Sequence, residues 1–279
     1  MSQRCFTVDV ADRVAHIVLA RPGELNTMIP AFWRELPAVV NDLSDSGTAR
    51  AIVLSSSGKH FTAGMDLSVF GGDQLAGSDG EIGRVRANLR LNVLHLQEAF
   101  NALERARVPV IAAVQGGCIG GGVDMVCACD MRYATADAFF CIQEINIGMT
   151  ADVGTLQRLP KLIPEGVARE YAYTGRRMPA TRAYELGFVN GVFETHEQMI
   201  VGVMAIAREI AARSPLAVWG SKEMITYARD HSVVDGLNYI ATWQTGMFQP
   251  ADMTEAFIAR NEKRDAVYED LHAMRRGLE

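Results

Sequence analysis

Two carboxylates, Glu144 and Asp152, lie eight positions apart in the segment EINIGMTADVGTLQRLP, residues 144–160. Most of their neighbours are small or apolar, and a carboxylate among apolar groups is costly unless something compensates it. One interpretation is a proton-transfer site, because positioned carboxyl groups act as general acids and bases. The other is a strand that closes at Glu144, followed by a helix that Asp152 caps, since Asp is a favoured N-cap residue. The segment alone leaves both interpretations open.

A second segment, GGCIGGG at residues 116–122, holds five glycines in seven positions between an apolar run and a helical pattern. It matches neither the G-x-G-x-x-G fingerprint nor the Walker motif. A tight strand-to-helix turn needs one or two glycines. Five favour a backbone pressed against a ligand, with N–H groups at a helix N-terminus directed at a developing oxyanion. Asp124 lies in the first turn of that helix, where a negative charge suits the helix dipole.

A second glycine turn, GKHFTAGMDL at residues 58–67, also follows an apolar strand pattern. Alone it is typical of a surface connection, and His60 within it is interpreted as a surface loop residue rather than a base. Two such turns after two buried strands can place two N–H donors on one oxygen. That arrangement would stabilise a thioester enolate.

The elements that would position these turns are predicted from hydrophobic periodicity. Strands are expected on both sides of a polar turn at 11–13, then in ARAIVLSSSG, VPVIAAVQG and, as a pair, MRYATADAFFCIQEI. Helices are expected in AFWRELPAVVNDLSDS, from about Glu81 to Ala106, and in VGTLQRLPKLI, with a flexible loop at 71–80. From about Val167 onward the pattern predicts helices throughout. The sequence therefore predicts an α/β part followed by a helical tail.

Composition excludes several classes of protein. The 279 residues are 49% hydrophobic and carry a formal net charge of −6, so a broad nucleic-acid surface is not expected. The five cysteines are an odd number in mostly apolar runs, which argues against disulfides, and no second cysteine pair completes a zinc site. No apolar run reaches the ~18 residues of a membrane span. We therefore predict a cytoplasmic protein with no metal and no membrane association.

The motifs FTAGMDL, residues 109–140 and QEINIGMTADVGTLQRLP together resemble the crotonase (enoyl-CoA hydratase/isomerase) superfamily, and within it the dienoyl-CoA isomerases. ARDHSVVDGLNYIATW in the tail resembles that subfamily as well. The resemblance implies an α/β fold in which ββα units form a spiral over residues 1–195, with the CoA and catalytic sites. It also implies a C-terminal α-helical region, 196–279, used for trimerisation.

The same resemblance implies an oxyanion hole made by the backbone N–H groups of Met65 and Gly121. Hydratases of the superfamily have carboxylates at the positions of Asp124 and Glu144 but a glycine where this chain has Asp152. The dienoyl-CoA isomerase pattern has all three carboxylates. The resemblance thus implies isomerisation of 3,5-dienoyl-CoA to 2,4-dienoyl-CoA in fatty acid β-oxidation. The alternatives are an enoyl-CoA hydratase and a non-catalytic acyl-CoA-binding subunit.

In the implied mechanism Glu144 is the base near C2, Asp152 is the acid near C6, and Asp124 tunes or holds the pair. This requires a protonated Asp152 beside an ionised Glu144, so the three carboxylates should titrate as a coupled set. The substrate is a coenzyme A thioester, and no other cofactor is implied.

The resemblance places coenzyme A along Ala63 and Met65, with Phe257 and Lys263 reaching the nucleotide, often from a neighbouring subunit. The competing interpretation of the last two is a helix with one core aromatic and a solvated run of charges. The implied assembly is a homotrimer or a dimer of trimers.

Overall fold

The larger sheet of the computed structural model, which describes residues 4–66, 69 and 82–274, has six strands. Strands β1 and β2 form an antiparallel hairpin, and every later pairing in this sheet is parallel. In spatial order the strands are β1 Phe6–Ala11, β2 Val14–Leu19, β3 Ala51–Ser56, β4 Val110–Val114, β6 Met131–Thr135 and β9 Gly191–Phe193. Strands β3 and β4 are buried along their whole length, as expected for parallel strands covered on both faces.

A second sheet of three short strands continues the first: β5 Gly117–Ile119, β7 Phe139–Cys141 and β8 Met178–Pro179. Strand β4 leads into β5 and then into helix α3, Gly121–Cys127; β6 leads into β7 and later into α4, Thr155–Leu162. Each unit therefore runs strand, strand, helix. This repeated ββα turn is the predicted spiral, and it brings the ends of β4 and β6 to the same side of the molecule.

Ten α-helices occur among the described residues. Besides α3 and α4 they are α1 Phe32–Ser46, α2 Ile82–Arg105, α5 Glu165–Thr174, α6 Ala180–Glu185, α7 His196–Ala211, α8 Pro215–Asp230, α9 Val233–Met247 and α10 Pro250–Glu262. The larger core cluster includes residues of α1, α2 and α3. Helix α7 covers the opposite face of the large sheet, where Met199 and Val203 belong to a smaller cluster with Val53 and Ile111. The division at residue 195 stays a prediction.

The expectation of helices throughout after Val167 is wrong in two places. Strand β8 pairs with β7, and β9 pairs in parallel with β6 as the last strand of the large sheet. Strands of two and three residues are too short to show a period-2 pattern. The loop predicted at 71–80 lies outside the described residues. In the described part of the chain, no helix is both long enough and apolar enough to cross a membrane.

Candidate active site

The two glycine turns foreseen from the sequence lie against each other and are joined by backbone hydrogen bonds. Thr62 N–H donates to the Gly117 carbonyl (3.1 Å), and Ile119 N–H donates to the Thr62 carbonyl (3.1 Å). His60 adds a third link, because its half-buried ring accepts a hydrogen bond from Gly117 N–H at Nδ1 (2.8 Å). The interpretation of His60 as a surface loop residue is therefore wrong: it fixes one turn on the other.

Glycine is required where these turns meet. A Cβ at Gly64, whose φ is +85°, would lie 2.7 Å from the Ile119 carbonyl oxygen and 3.5 Å from the Gly121 nitrogen. Gly120 has a φ of +54°, and a Cβ there would lie 3.3 Å from Oε1 of Glu144. Any side chain at these positions would separate the turns or displace the carboxylate.

Two backbone N–H groups remain unused at this junction. Among the described residues, neither Met65 N–H nor Gly121 N–H has a hydrogen-bond acceptor, although Asp66 N–H donates to Met28 (3.2 Å) and Gly120 N–H donates to Cys141 (2.9 Å). Met65 and Gly121 line the same cavity. Free amides beside each other at a cavity wall are the donors that an oxyanion hole requires.

The cavity has a volume of about 540 Å³ and collects most of the residues singled out from the sequence. Ala63, Met65, Gly121, Glu144 and Asp152 all line it. Its other walls are largely apolar and include Trp33, Ile147, Met149 and Val153. An apolar cavity with a few convergent polar groups is typical of a small-molecule site.

Asp124 does not reach the cavity wall. It is fully buried in α3, and its Oδ1 accepts a hydrogen bond from the N–H of Thr155 (2.6 Å), the first residue of α4. Its Oδ2 is buried with no partner among the described residues. Asp124 therefore caps α4 from a neighbouring helix, and the interpretation of Asp152 as the cap is wrong. The residue before α4 is Gly154, which has a φ of +136° and no side chain to cap with.

Glu144 is the first residue of a short 3-10 turn, Glu144–Ile147, so it does not close a strand. The side chain is half-buried, and its Oε2 is shielded from solvent with no hydrogen-bond partner in the described part of the chain. Burial, helped by the negative charges of Asp124 and Asp152, raises the pKa of Glu144 to about 7. Its carboxyl group can thus exchange a proton near neutral pH.

The other two carboxyl groups are shifted in the same direction. Burial raises the pKa of Asp124 to about 6, with a further contribution from the charge of Asp152. Loss of solvent contact also raises the pKa of Asp152, although its side chain is the most exposed of the three. The pKa of each of the three acids is thus shifted in the direction that resists ionisation, and their titration as a coupled set stays a prediction.

Phe257 and Lys263 are not brought to this cavity by their own chain. Phe257 lies on α10 and is 59% exposed, while Lys263 follows that helix in the left-handed conformation and is also exposed. The alternative interpretation of Phe257 as a core aromatic is wrong. A contact with coenzyme A across a subunit boundary stays a prediction.

Two contributions to the site were missed from the sequence. Arg177 lines the cavity and lies over the ring of Phe139, 4.3 Å from its centroid. Gln97, on α2, donates a hydrogen bond to the backbone carbonyl of Asp152 (2.7 Å). Neither residue belongs to a motif, so no sequence signal pointed to them. No group of three or more His, Cys, Asp or Glu side chains within the described ranges is arranged to hold a metal ion.

Comparison with known proteins agrees with this geometry. The model of the enoyl-CoA hydratase/isomerase family matches residues 9–271. The solved structure of an enoyl-CoA hydratase from Bacillus anthracis is similar, with a TM-score of 0.85 and 30% identity over 95% of this chain and 99% of that one. An enoyl-CoA hydratase from Mycobacterium tuberculosis has a TM-score of 0.81 and 31% identity over 95% and 98%. The predicted crotonase-type fold is thereby confirmed.

The chain belongs to the enoyl-CoA hydratase/isomerase family. Among its curated relatives, the mitochondrial Δ(3,5)-Δ(2,4)-dienoyl-CoA isomerase of Homo sapiens is 45% identical over 253 residues, which are 90% of this chain and 77% of that protein. The peroxisomal Δ(3,5)-Δ(2,4)-dienoyl-CoA isomerase of Arabidopsis thaliana is 41% identical over 252 residues, 90% and 91% of the two chains.

The burial of Asp124 predicts a pH-dependent stability effect of Asp124→Asn. Because the pKa of Asp124 rises from 3.8 to about 6 on folding, the native state binds more protons between these values. The wild-type protein therefore loses stability as pH rises through this window, whereas Asn does not titrate. The free energy of unfolding of Asp124→Asn minus that of the wild type should therefore increase by about 1–3 kcal/mol as pH rises from 4 to 8.

Denaturant unfolding at several pH values measures this difference. Asp137→Asn, at an exposed position, is the control for the loss of one carboxylate. A difference between Asp124→Asn and wild type that stays constant from pH 4 to 8 would contradict the assignment.

Proposed function

We propose that the protein is a dienoyl-CoA isomerase that converts 3,5-dienoyl-CoA to 2,4-dienoyl-CoA. The observation that carries the proposal is the presence of two carboxyl groups, Glu144 and Asp152, on one apolar cavity with two unused amides. The names of the curated relatives from Homo sapiens and Arabidopsis thaliana, at 45% and 41% identity, support it.

The reaction moves two conjugated double bonds by removing a proton from C2 and delivering one to C6. Glu144 takes the C2 proton, since its pKa of about 7 leaves a useful fraction ionised at neutral pH. The resulting dienolate places negative charge on the thioester oxygen. Met65 N–H and Gly121 N–H stabilise that charge, and because they are held by the backbone of two joined turns, they need little reorganisation.

Asp152 delivers the proton to C6 and must therefore be protonated when Glu144 is ionised. In the free protein, partial burial already raises the pKa of this carboxyl group above its ordinary value. An acyl chain in the cavity would remove water from this carboxyl group and raise its pKa further. Substrate binding thus creates the acid form at the carbon that needs it.

Asp124 acts from beneath the site. Its Oδ1 holds the N–H of Thr155, so it fixes the start of α4 and the segment that carries Asp152. Its negative charge also contributes to the raised pKa of Glu144. We assign it a positioning role, because its carboxyl group does not line the cavity.

This placement also weighs against the two alternatives. A hydratase would use the carboxylates at positions 124 and 144 to hold a water molecule, but Asp124 is engaged with Thr155 and lies below the cavity wall. A non-catalytic acyl-CoA-binding subunit would have no use for carboxyl groups whose pKa values are raised towards neutrality. In the assay described below, hydration alone would indicate the hydratase, and neither isomerisation nor hydration would indicate the non-catalytic subunit.

The substrate is a coenzyme A thioester, and the reaction moves only protons, so it calls for no redox cofactor and no metal. We place the pantetheine along Ala63 and Met65, and the nucleotide near Phe257 and Lys263 of a neighbouring subunit. Fatty acid β-oxidation is the proposed setting. The two relatives are named mitochondrial and peroxisomal, so their names do not support the cytoplasmic location, which stays a prediction.

We further propose that the chain assembles into trimers or dimers of trimers through its helical tail. Helices α8 and α9 carry an exposed apolar patch formed by Ile225, Val233, Val234 and Leu237, each 63–78% exposed. A patch of this kind on a single chain usually marks an interface. Sedimentation should therefore give a mass that is a multiple of three chains.

Leu237→Asp should shift that mass to the single chain, because it would bury a charge in the interface. Val201→Asp is the control, since Val201 is 70% exposed on α7, outside the patch. A wild-type chain that sediments as a monomer would contradict the proposed assembly.

The isomerase assignment is tested by giving the purified protein a 3,5-dienoyl-CoA and following the gain of ultraviolet absorbance as the double bonds conjugate with the thioester. We expect rapid isomerisation that falls by at least ~100-fold in Asp152→Asn, because a general acid contributes about that factor or more. Asp137→Asn, an exposed carboxylate away from the cavity, should keep wild-type activity. Hydration of crotonyl-CoA without isomerisation, indifferent to Asp152→Asn, would make the protein a hydratase.

The pH dependence of kcat/KM tests the role of Glu144 separately. A general base acts when ionised, and the ionised fraction of Glu144 falls as pH drops below its pKa of about 7. We expect kcat/KM for the dienoyl-CoA to fall roughly tenfold for each pH unit below that value, since kcat/KM reports groups of the free enzyme. A profile that stays flat from pH 5.5 to 8 would remove Glu144 from the role of base.

A further inference from the structure

The segment that carries Asp152 is held on three sides, and two of these restraints act after Asp152 in the chain. Thr155 N–H is bound by Asp124, and Gly154 lies under the guanidinium of Arg158, whose Nη1 would be 2.1 Å from a Cβ at that glycine. Val153, between Asp152 and Gly154, is buried. These contacts fix the start of α4 but include no hydrogen bond to the Asp152 peptide group.

The third restraint comes from α2. Gln97 Nε2 donates a hydrogen bond to the backbone carbonyl of Asp152 (2.7 Å). No side chain among the described residues hydrogen-bonds the Asp152 carboxyl group itself. The direction in which this carboxyl group projects is therefore set by its backbone, and Gln97 is the side chain that holds that backbone.

Gln97 belongs to a polar stripe on one face of α2. Asn101 and Glu104 follow it at intervals of four and three residues, which places all three side chains on the same helix face. Asn101 and Glu104 both accept hydrogen bonds from Nη2 of Arg158, at 2.7 and 3.0 Å. One helix face thus docks the whole segment from Asp152 to Arg158.

A polar cavity of about 370 Å³ lies behind this segment, and Val153 lines both it and the active-site cavity. Gln97 faces this second cavity, so it touches the segment from behind rather than from the substrate side. Gln157, on α4, lines the same polar cavity, but its side chain has no hydrogen-bond partner among the described residues. The chain therefore contains two glutamines in one cavity, of which only one contacts Asp152.

We propose that Gln97 is a positioning residue for Asp152, which keeps the carboxyl group aimed at C6 of the dienoyl chain. The proposal rests on the proposed isomerase function. Misplacing a catalytic group by about 1 Å can cost ~100-fold in rate, so a single hydrogen bond on its peptide group has a measurable effect. Because Gln97 does not line the active-site cavity, its loss should affect turnover rather than substrate binding.

The first test compares Gln97→Met with Gln157→Met in the conjugation assay. We expect kcat of Gln97→Met to fall about tenfold while KM for the dienoyl-CoA changes less than about twofold. Gln157→Met should match the wild type in both constants. Thermal unfolding of both variants close to that of the wild type shows that the loss is local.

The second test uses the matched acids Gln97→Glu and Gln157→Glu. A glutamate at 97 has the reach of glutamine but can donate to the Asp152 carbonyl only when protonated, with an ordinary pKa of about 4.3. The rate of Gln97→Glu relative to wild type should therefore stay low from pH 8 to 6 and begin to recover only as pH approaches 5. Gln157→Glu places the same charge in the same cavity and should show no such recovery.

The wild type and the Gln97 variants test the isomerase function and the role of Gln97 separately. If the wild type does not isomerise the substrate, the proposed function fails. If the wild type isomerises it but Gln97→Met behaves like Gln157→Met, or lowers kcat/KM through KM alone, the positioning role of Gln97 is overturned. A deficit in Gln97→Glu that is the same at pH 5 as at pH 8 would also overturn it.

Discussion

The close approach of two glycine turns is the constraint on which the rest of the site depends. The amides of Met65 and Gly121, the proposed oxyanion-hole donors, are brought together where Gly64 packs against the Ile119 carbonyl at a distance that excludes any Cβ. Backbone hydrogen bonds at Thr62 and the ring of His60 hold the turns together. Both turns follow buried parallel strands, β3 and β4, whose ends lie at the same edge of the sheet. The large sheet thus acts as a rigid base for two donors that have no acceptor in the described part of the chain.

The carboxyl groups of the site are poorly solvated and have few hydrogen-bond partners. Asp124 Oδ2 and Glu144 Oε2 are both shielded from solvent without a hydrogen-bond partner among the described residues. Unpartnered buried oxygens are costly in a folded protein, and the pKa values of these groups, raised to about 6 and about 7, express that cost. Strain of this kind is tolerated at functional sites, where the same poor solvation keeps a proton available for transfer.

Sequence patterns predicted most of the scaffold and the backbone part of the site. The glycines of residues 116–122 and the apolar strands before them indicated a turn pressed against a ligand, and the structure places that turn on a cavity. Patterns failed where the determining contact is distant along the chain. Asp152 has the local signature of a helix cap, yet Asp124, 31 residues before Thr155, provides the cap.

Strand β9 has three residues and is defined by its pairing with β6 rather than by its own sequence. The contact of Gln97 with Asp152 spans 55 positions and has no local signal.

The different positions of the two aspartates suggest how one scaffold serves more than one reaction. Asp124 is fully buried and committed to Thr155, so it belongs to the architecture of the helix junction. Asp152 is exposed at the cavity and lies in the loop that this junction fixes, where a side chain can be exchanged without cost to the core. A glycine at that position would leave Glu144 and the two amides in place and remove only the second proton carrier. In the proposed mechanism, proton transfer at C2 therefore relies on groups that the fold itself fixes, whereas proton transfer at C6 relies on one loop residue and on the face of α2 that contacts its backbone.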